Sequence, residues 1–151
     1  MTPNTNNSVH IDAPREVVWK LTNNVRTWPQ LFTEYANIEV LHEEGSTVRF
    51  RLTMVPDDDG SVWSWVSERT SDRPNWSVAA HRIETGPFEY MRIYWDYQVE
   101  NGGTRMRWRQ EFSAKPDAPF DNESITRRIN DNTKIQMQVI KEKVELAAMK
   151  G

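Results

Sequence analysis

The chain has 151 residues, the length of one ordinary domain. It contains no cysteine, which excludes disulfides, thiol catalysis and thiolate metal sites. Lysine and arginine number 19 against 22 acidic residues, and the net charge of −3 argues against nucleic-acid binding by bulk electrostatics.

The opening MTPNTNNSVHIDAP has neither the basic start nor the apolar stretch of a signal peptide. No run approaches the roughly 20 apolar residues of a membrane span. The expected location is the cytoplasm, with no membrane partner. Residues Ser8 to Asp12 alternate and predict a short strand. Asp12 ahead of Ala13-Pro14, with Glu16 following, predicts a helix over 14–23. Val17, Val18 and Leu21 give it one apolar face. WPQLFTEY predicts a second short helix over 28–34. Neither helix is long enough to persist alone.

Strands follow. Val48, Phe50, Leu52 and Met54 alternate with Thr47, Arg49, Arg51 and Thr53, a half-buried strand that stops at Pro56 and the Asp57-Asp58-Asp59-Gly60 turn. The run 61–70 places Trp63, Trp65, Ser67 and Arg69 on one face. A weaker strand is expected over 75–84. Another over 88–99 carries Met91, Ile93, Trp95, Tyr97 and Val99 on one side. Gly102-Gly103 signals a hairpin. After it Met106, Trp108, Gln110 and Phe112 alternate against Arg105, Arg107, Arg109 and Glu111, with the arginines on a solvated face.

Past KPDAPFDN the period changes. Residues from about 121 to 149 lack Gly and Pro and favour helix, with Ile125, Ile129, Ile140, Val144 and Ala147 on one stripe. Such a helix would be roughly 43 Å long. No linker or repeat divides the chain, so residues 1–151 form one expected α+β domain. Its antiparallel sheet of about six or seven strands needs cover on one face. The terminal helix is the element long enough to supply it.

The inward faces are not purely apolar. Ser67 and Arg69 continue the face of Trp65, Gln110 sits between Trp108 and Phe112, and Asn132, Thr133 and Gln136 interrupt the helical stripe. A dry core would penalise a buried guanidinium by several kcal/mol. Together with seven tryptophans in a chain that is 37% hydrophobic, this pattern predicts a cavity of rings around a few polar groups. Plainer roles stay open residue by residue. Arg69 could turn outward at a bulge or pair with a carboxylate, and Gln110 and Thr133 could be hydrogen-bonded core residues. His10, His42 and His81 form no ligand pattern, and no metal or other cofactor is expected. No GxSxG, Walker, HExxH or dinucleotide motif occurs.

APREVVW, WPQLFTEYA, VWSWVSER, RIETGPFEYM, MRWRQEF and KPDAPFDN together resemble the single-domain polyketide aromatase/cyclases of bacterial type II pathways. The likeness is to the non-reducing tetracenomycin and spore-pigment group. It implies a START-like helix-grip fold, a curved sheet wrapped round the last helix, with an interior pocket. The substrate implied is a poly-β-ketone on an acyl carrier protein, delivered by a minimal polyketide synthase. The activity implied is first-ring aldol closure, between carbons nine and fourteen, and dehydration to an aromatic ring. Carried over by position, Arg69 and Tyr35 would be catalytic. Trp28, Phe32, Trp65, Ser67, Met91, Trp95, Trp108, Gln110, Thr133 and Gln136 would bind substrate. Arg127, Arg128 and Lys134 are candidates for carrier docking, and ordinary solvated charges are the plainer account of them. The alternative function is a non-catalytic hydrophobic-ligand carrier or polyketide chaperone of the same fold.

Overall fold

In the computed structural model, which describes residues 3–150, the chain opens with strand β1 (Asn4–Ile11). It passes through helix α1 (Arg15–Asn23), a 3-10 turn (Val25–Thr27) and helix α2 (Trp28–Leu31). Six strands follow: β2 (Tyr35–Glu44), β3 (Thr47–Met54), β4 (Ser64–Asp72), β5 (Ser77–Arg82), β6 (Phe88–Glu100) and β7 (Gly103–Ala114). Helix α3 (Asn122–Lys150) closes the chain. The strands form one curved antiparallel sheet in the order β1-β7-β6-β5-β4-β3-β2. This is the architecture expected of the helix-grip resemblance. The two edge strands, β1 and β2, are joined by the short helices.

Helix α3 starts where Asp121 can cap it. The Ser124 amide donates to Asp121 Oδ1 at 2.8 Å, and the Ile125 amide to the Asp121 carbonyl at 3.1 Å. Its first turns bury Ile125 beside Phe88, Met91 and Phe112 in a small core. Further along, Met137, Ile140 and Val144 join the main core with Ile11, Val18 and Met106. Polar bonds fasten its flank to β1: Asn7 Nδ2 donates to Asn130 Oδ1 at 2.9 Å, and Lys141 Nζ to the His10 carbonyl at 2.9 Å. The wet side of the sheet carries cross-strand ion pairs, Arg107 with Asp96 at 2.9 Å and Arg105 with Glu100 at 2.6 Å.

Four local expectations need correction. The 28–34 helix ends after Leu31, since Phe32 is extended (φ −100°, ψ 146°) and the chain turns at once into β2. Strand β2 has no counterpart in the sequence prediction. It is an edge strand, mostly exposed, with register shifts at Tyr35/Asn37 and Val40/His42 that destroy its alternation. Trp63 lies before β4 and is exposed, its Nε1 donating to Asp57 Oδ2 at 2.9 Å, so it does not share the inward face of Trp65. On α3, Ala148 rather than the exposed Ala147 packs on the core.

The hairpin between β6 and β7 turns on Asn101-Gly102, one residue ahead of the Gly102-Gly103 pair. Asn101 (φ 49°) and Gly102 (φ 76°) both adopt left-handed conformations, the requirement of a two-residue hairpin turn. Gly103 serves another purpose. A Cβ there would lie 2.4 Å from the Ile11 carbonyl oxygen, so its hydrogen lets β1 pass close to the hairpin.

Candidate functional site

Between the sheet, α2 and α3 lies a partly open cavity of about 240 Å³. This is smaller than the roughly 300–1,000 Å³ of common ligand sites. The reason is ring stacking. Trp95 and Trp108 are register partners on β6 and β7, and their rings lie nearly parallel with centroids 4.4 Å apart. Trp28 stacks on Trp95 at 5.8 Å, and Phe32 on Trp108 at 5.9 Å. Helix α2, only one turn long, sets Trp28 and Phe32 against the sheet, and the Trp28 Nε1 donates to the Thr22 carbonyl at 3.1 Å.

Arg69 and Tyr35 both line this cavity. So do Trp28, Phe32, Trp65, Ser67 and Met91. Trp95, Trp108, Gln110, Thr133 and Gln136 complete the expected set, and all lie on the cavity wall. Their engagements differ. Both polar ends of the Gln136 amide meet Thr33: Oε1 accepts from its amide at 3.0 Å and Nε2 donates to its hydroxyl at 2.8 Å. That amide pins α3 to the end of α2. Ser67 and Thr133 are buried, while Gln110 is half-buried opposite Ile93.

Arg69 is 3% exposed and has no carboxylate partner among the described residues. Its Nη2 donates to Asn23 Oδ1 at 2.8 Å, and its guanidinium lies 5.0 Å from the Trp28 ring centre and 4.8 Å from that of Trp95. The hydrogen bonds beyond it run one way. Asn23 Nδ2 donates to the Trp19 carbonyl and to the Tyr97 hydroxyl. The Thr22 hydroxyl donates to the Val18 carbonyl at 2.7 Å, so Tyr97 donates to Thr22, also at 2.7 Å. Burial pulls the Arg69 guanidinium down to about 10 and pushes the Tyr97 phenol up to about 12, so both keep their protons near neutral pH. Nη1 of Arg69 has no hydrogen-bond partner among the described residues.

Two polar wall residues were missed in the sequence. Arg82 is the register partner of Ser67, so β5 aims it at the face that β4 gives Ser67 and Arg69. Its guanidinium covers Trp65 at 4.2 Å, and burial pulls it down to about 10. The Val78, Ala80, Arg82 alternation was the signal for it. Glu34 sits between α2 and β2, next to Tyr35, and lines the cavity. Burial pushes its carboxyl up to about 7, against a hydrogen bond from Tyr35 and the charge of Arg128, which pull it down. Burial, and then the neighbouring Glu34 carboxylate, push the Tyr35 phenol well above its ordinary value. No periodic pattern could have found Glu34, because it belongs to no regular element.

Among the described residues, no three His, Asp or Glu side chains gather where they could hold a metal ion. None of the described helices is long and apolar enough to cross a membrane.

Residues 11–138 match the family model described as "Polyketide cyclase / dehydrase and lipid transport". The chain is 54% identical over 145 residues to a Streptomyces cyaneus protein named as a candidate polyketide cyclase, covering 96% of this chain and 95% of that one. Among solved structures it superposes on the Zhui aromatase/cyclase of a Streptomyces species with a TM-score of 0.83 at 18% identity, covering 96% and 94% of the two chains. A START superfamily protein of Mycobacterium smegmatis aligns with a TM-score of 0.78 at 11% identity, over 95% and 98%.

Proposed function

Since the chain belongs to the polyketide cyclase/dehydrase family, we propose that it directs the first-ring aldol closure and dehydration of a carrier-bound poly-β-ketone, with Arg69 and Tyr35 at the reacting carbonyl. The observation that carries this reading is the kind of polar group the cavity wall leaves unmatched. Arg69 Nη1, Arg82 Nε and Trp108 Nε1 are buried and without partners among the described residues, and all three are donors. A poly-β-ketone in its keto form presents acceptors, one carbonyl on every second carbon. Wall and substrate class are complementary.

The chemistry follows from that complementarity. A methylene between two carbonyls is already acidic, so the difficult task is choosing one closure among many. The ring stack holds the chain at one bend, which removes competing geometries. Arg69 donates to the carbonyl under attack and stabilises the oxyanion that forms there. Tyr35, kept protonated by its surroundings, supplies a proton to that oxygen. A cavity of about 240 Å³ encloses the bend and leaves the rest of a long chain toward the opening. Closure between carbons nine and fourteen is the regiochemistry assigned to this bend. The carrier protein docks on the basic residues of α3, of which Arg128 acts on Glu34 at the cavity wall.

The test is reconstitution with a minimal polyketide synthase, reading products by mass and NMR. Arg69→Ala should stay folded and lower the yield of directed product by about 10²–10³ in rate, the loss typical of one oxyanion donor. Spontaneous closures then dominate. Tyr35→Phe should do less. A folded Arg69→Ala protein with wild-type product yield would refute the role, and favour the carrier or chaperone function.

A further inference from the structure

The ionisable side chains on the cavity wall are Arg69, Arg82, Tyr35 and one carboxylate, Glu34; no histidine, lysine or aspartate is among them. An aldol closure starts with removal of a proton from a methylene carbon. The two arginines cannot take it while protonated. Tyr35 holds its own proton. Glu34 is fixed in place by its backbone, whose carbonyl accepts from the Val55 amide at 2.9 Å, and it lines the cavity beside its chain neighbour Tyr35, whose hydroxyl pulls the Glu34 carboxyl down.

Resting on the cyclase function proposed above, we infer that Glu34 is the general base of the closure, with the Tyr35 hydroxyl as its relay to the newly formed alkoxide. The step balances within the site. A methylene C–H proton passes to a Glu34 carboxylate oxygen, and its electron pair becomes the enolate. The enolate carbon attacks the distant ketone carbon, one C–C bond forms, and the carbonyl π pair moves to oxygen beside Arg69. Tyr35 gives that oxygen its proton and regains one from the Glu34 carboxylic acid. Base and relay are both restored, and no other reactant is needed.

The electrostatics suit this work. A base is most effective when it titrates near the working pH, and burial brings Glu34 to about 7. The charges that face the pair come from three elements. Arg128 of α3 acts on Glu34, Arg69 of β4 acts on Tyr35, and Arg82 of β5 lines the same cavity. All are cations, and Arg128 favours the ionised carboxylate that burial opposes.

The experiment compares wild type, Glu34→Gln, Glu34→Asp and Arg69→Ala in the reconstituted synthase between pH 5.5 and 8.5. The readout is the ratio of directed to spontaneous products, which cancels changes in substrate supply. Wild type should rise about tenfold per pH unit below 7 and level above it, because only the ionised carboxylate takes a proton. Glu34→Gln should lower the ratio about 10²-fold and abolish the pH step. Glu34→Asp should keep the step at reduced height, which a merely structural carboxyl would not do. Thermal melting supplies a readout that needs no substrate. A folded-state pKa raised to about 7 favours the protonated fold. Wild-type stability relative to Glu34→Gln should therefore be highest at low pH and fall as pH rises through 7. A normal product ratio from Glu34→Gln, beside a defective Arg69→Ala, overturns this inference and leaves the cyclase function standing. A wild-type product pattern equal to that without the protein overturns both. A melting difference independent of pH also overturns the inference.

Discussion

At the scale of the residue, the behaviour of Arg69 depends on a chain of donors that begins outside the cavity. Thr22 must give its hydrogen to the Val18 carbonyl, which obliges Tyr97 to donate to Thr22 and leaves the Tyr97 oxygen to accept from Asn23. The Asn23 amide is thereby oriented with its oxygen toward Arg69. Asn23→Ala should cost about 1–3 kcal/mol in a urea titration, since it leaves a buried guanidinium nitrogen without an acceptor. Tyr97→Phe should cost less, because Thr22 retains its bond to Val18 and Asn23 its bond to Trp19. Equal stability of Asn23→Ala and wild type would show that the chain does not organise the site. Arg69 itself was legible in the sequence, since period-two alternation from Trp65 carries it inward. Asn23 was not, because its importance comes from a partner 46 residues away.

Among the elements, long regular segments could be read and short corrective ones could not. β6 and β7 alternate over 13 and 12 residues, and their pairing brings Trp95 against Trp108 as the pattern requires. β2 alternates poorly because two register shifts interrupt it, and α2 is one turn held by its neighbours. Tyr35 was therefore identified through the family resemblance, and its setting at the start of an edge strand came from the structure. The β6–β7 hairpin gives a sharper test of local geometry. In Gly103→Ala the new methyl meets the Ile11 carbonyl at 2.4 Å, a backbone atom that cannot rotate away. The expected loss is about 1–3 kcal/mol, the range for overpacking, measured as a lowered denaturation midpoint. Gly102→Asn, in a turn with nothing near the added carbon, should cost much less. Equal losses would mean that backbone conformation, not the approach of β1, dominates.

For the whole molecule, the outline was legible because one long helix and one half-wet sheet leave little choice of arrangement. The small volume of the cavity was not, since it depends on how four rings stack. Its surroundings also bear on the proposed carrier docking. Arg127 is an exposed residue paired with Glu123 at 3.0 Å, whereas Arg128 and Lys134 are exposed and Arg128 acts on Glu34 at the cavity wall. Charge reversal at Arg127 and Arg128 should weaken binding of an acidic carrier protein and flatten its salt dependence in calorimetric titrations. Unchanged affinity and salt slope would place docking elsewhere. The strand order has a further consequence, for how the chain is made. Every neighbouring pair from β2 to β7 is consecutive in sequence and can close as a hairpin, but β1 pairs with β7, about a hundred residues later. During synthesis the first strand emerges early and waits, and the loop it must close is the longest in the sheet. Until then β7 offers an open edge to any β1, including that of a neighbouring nascent chain. The closed cavity is thus the last feature the molecule acquires, and a chain stalled before Gly103 has seen neither the mate of its first strand nor the helix that closes the cavity.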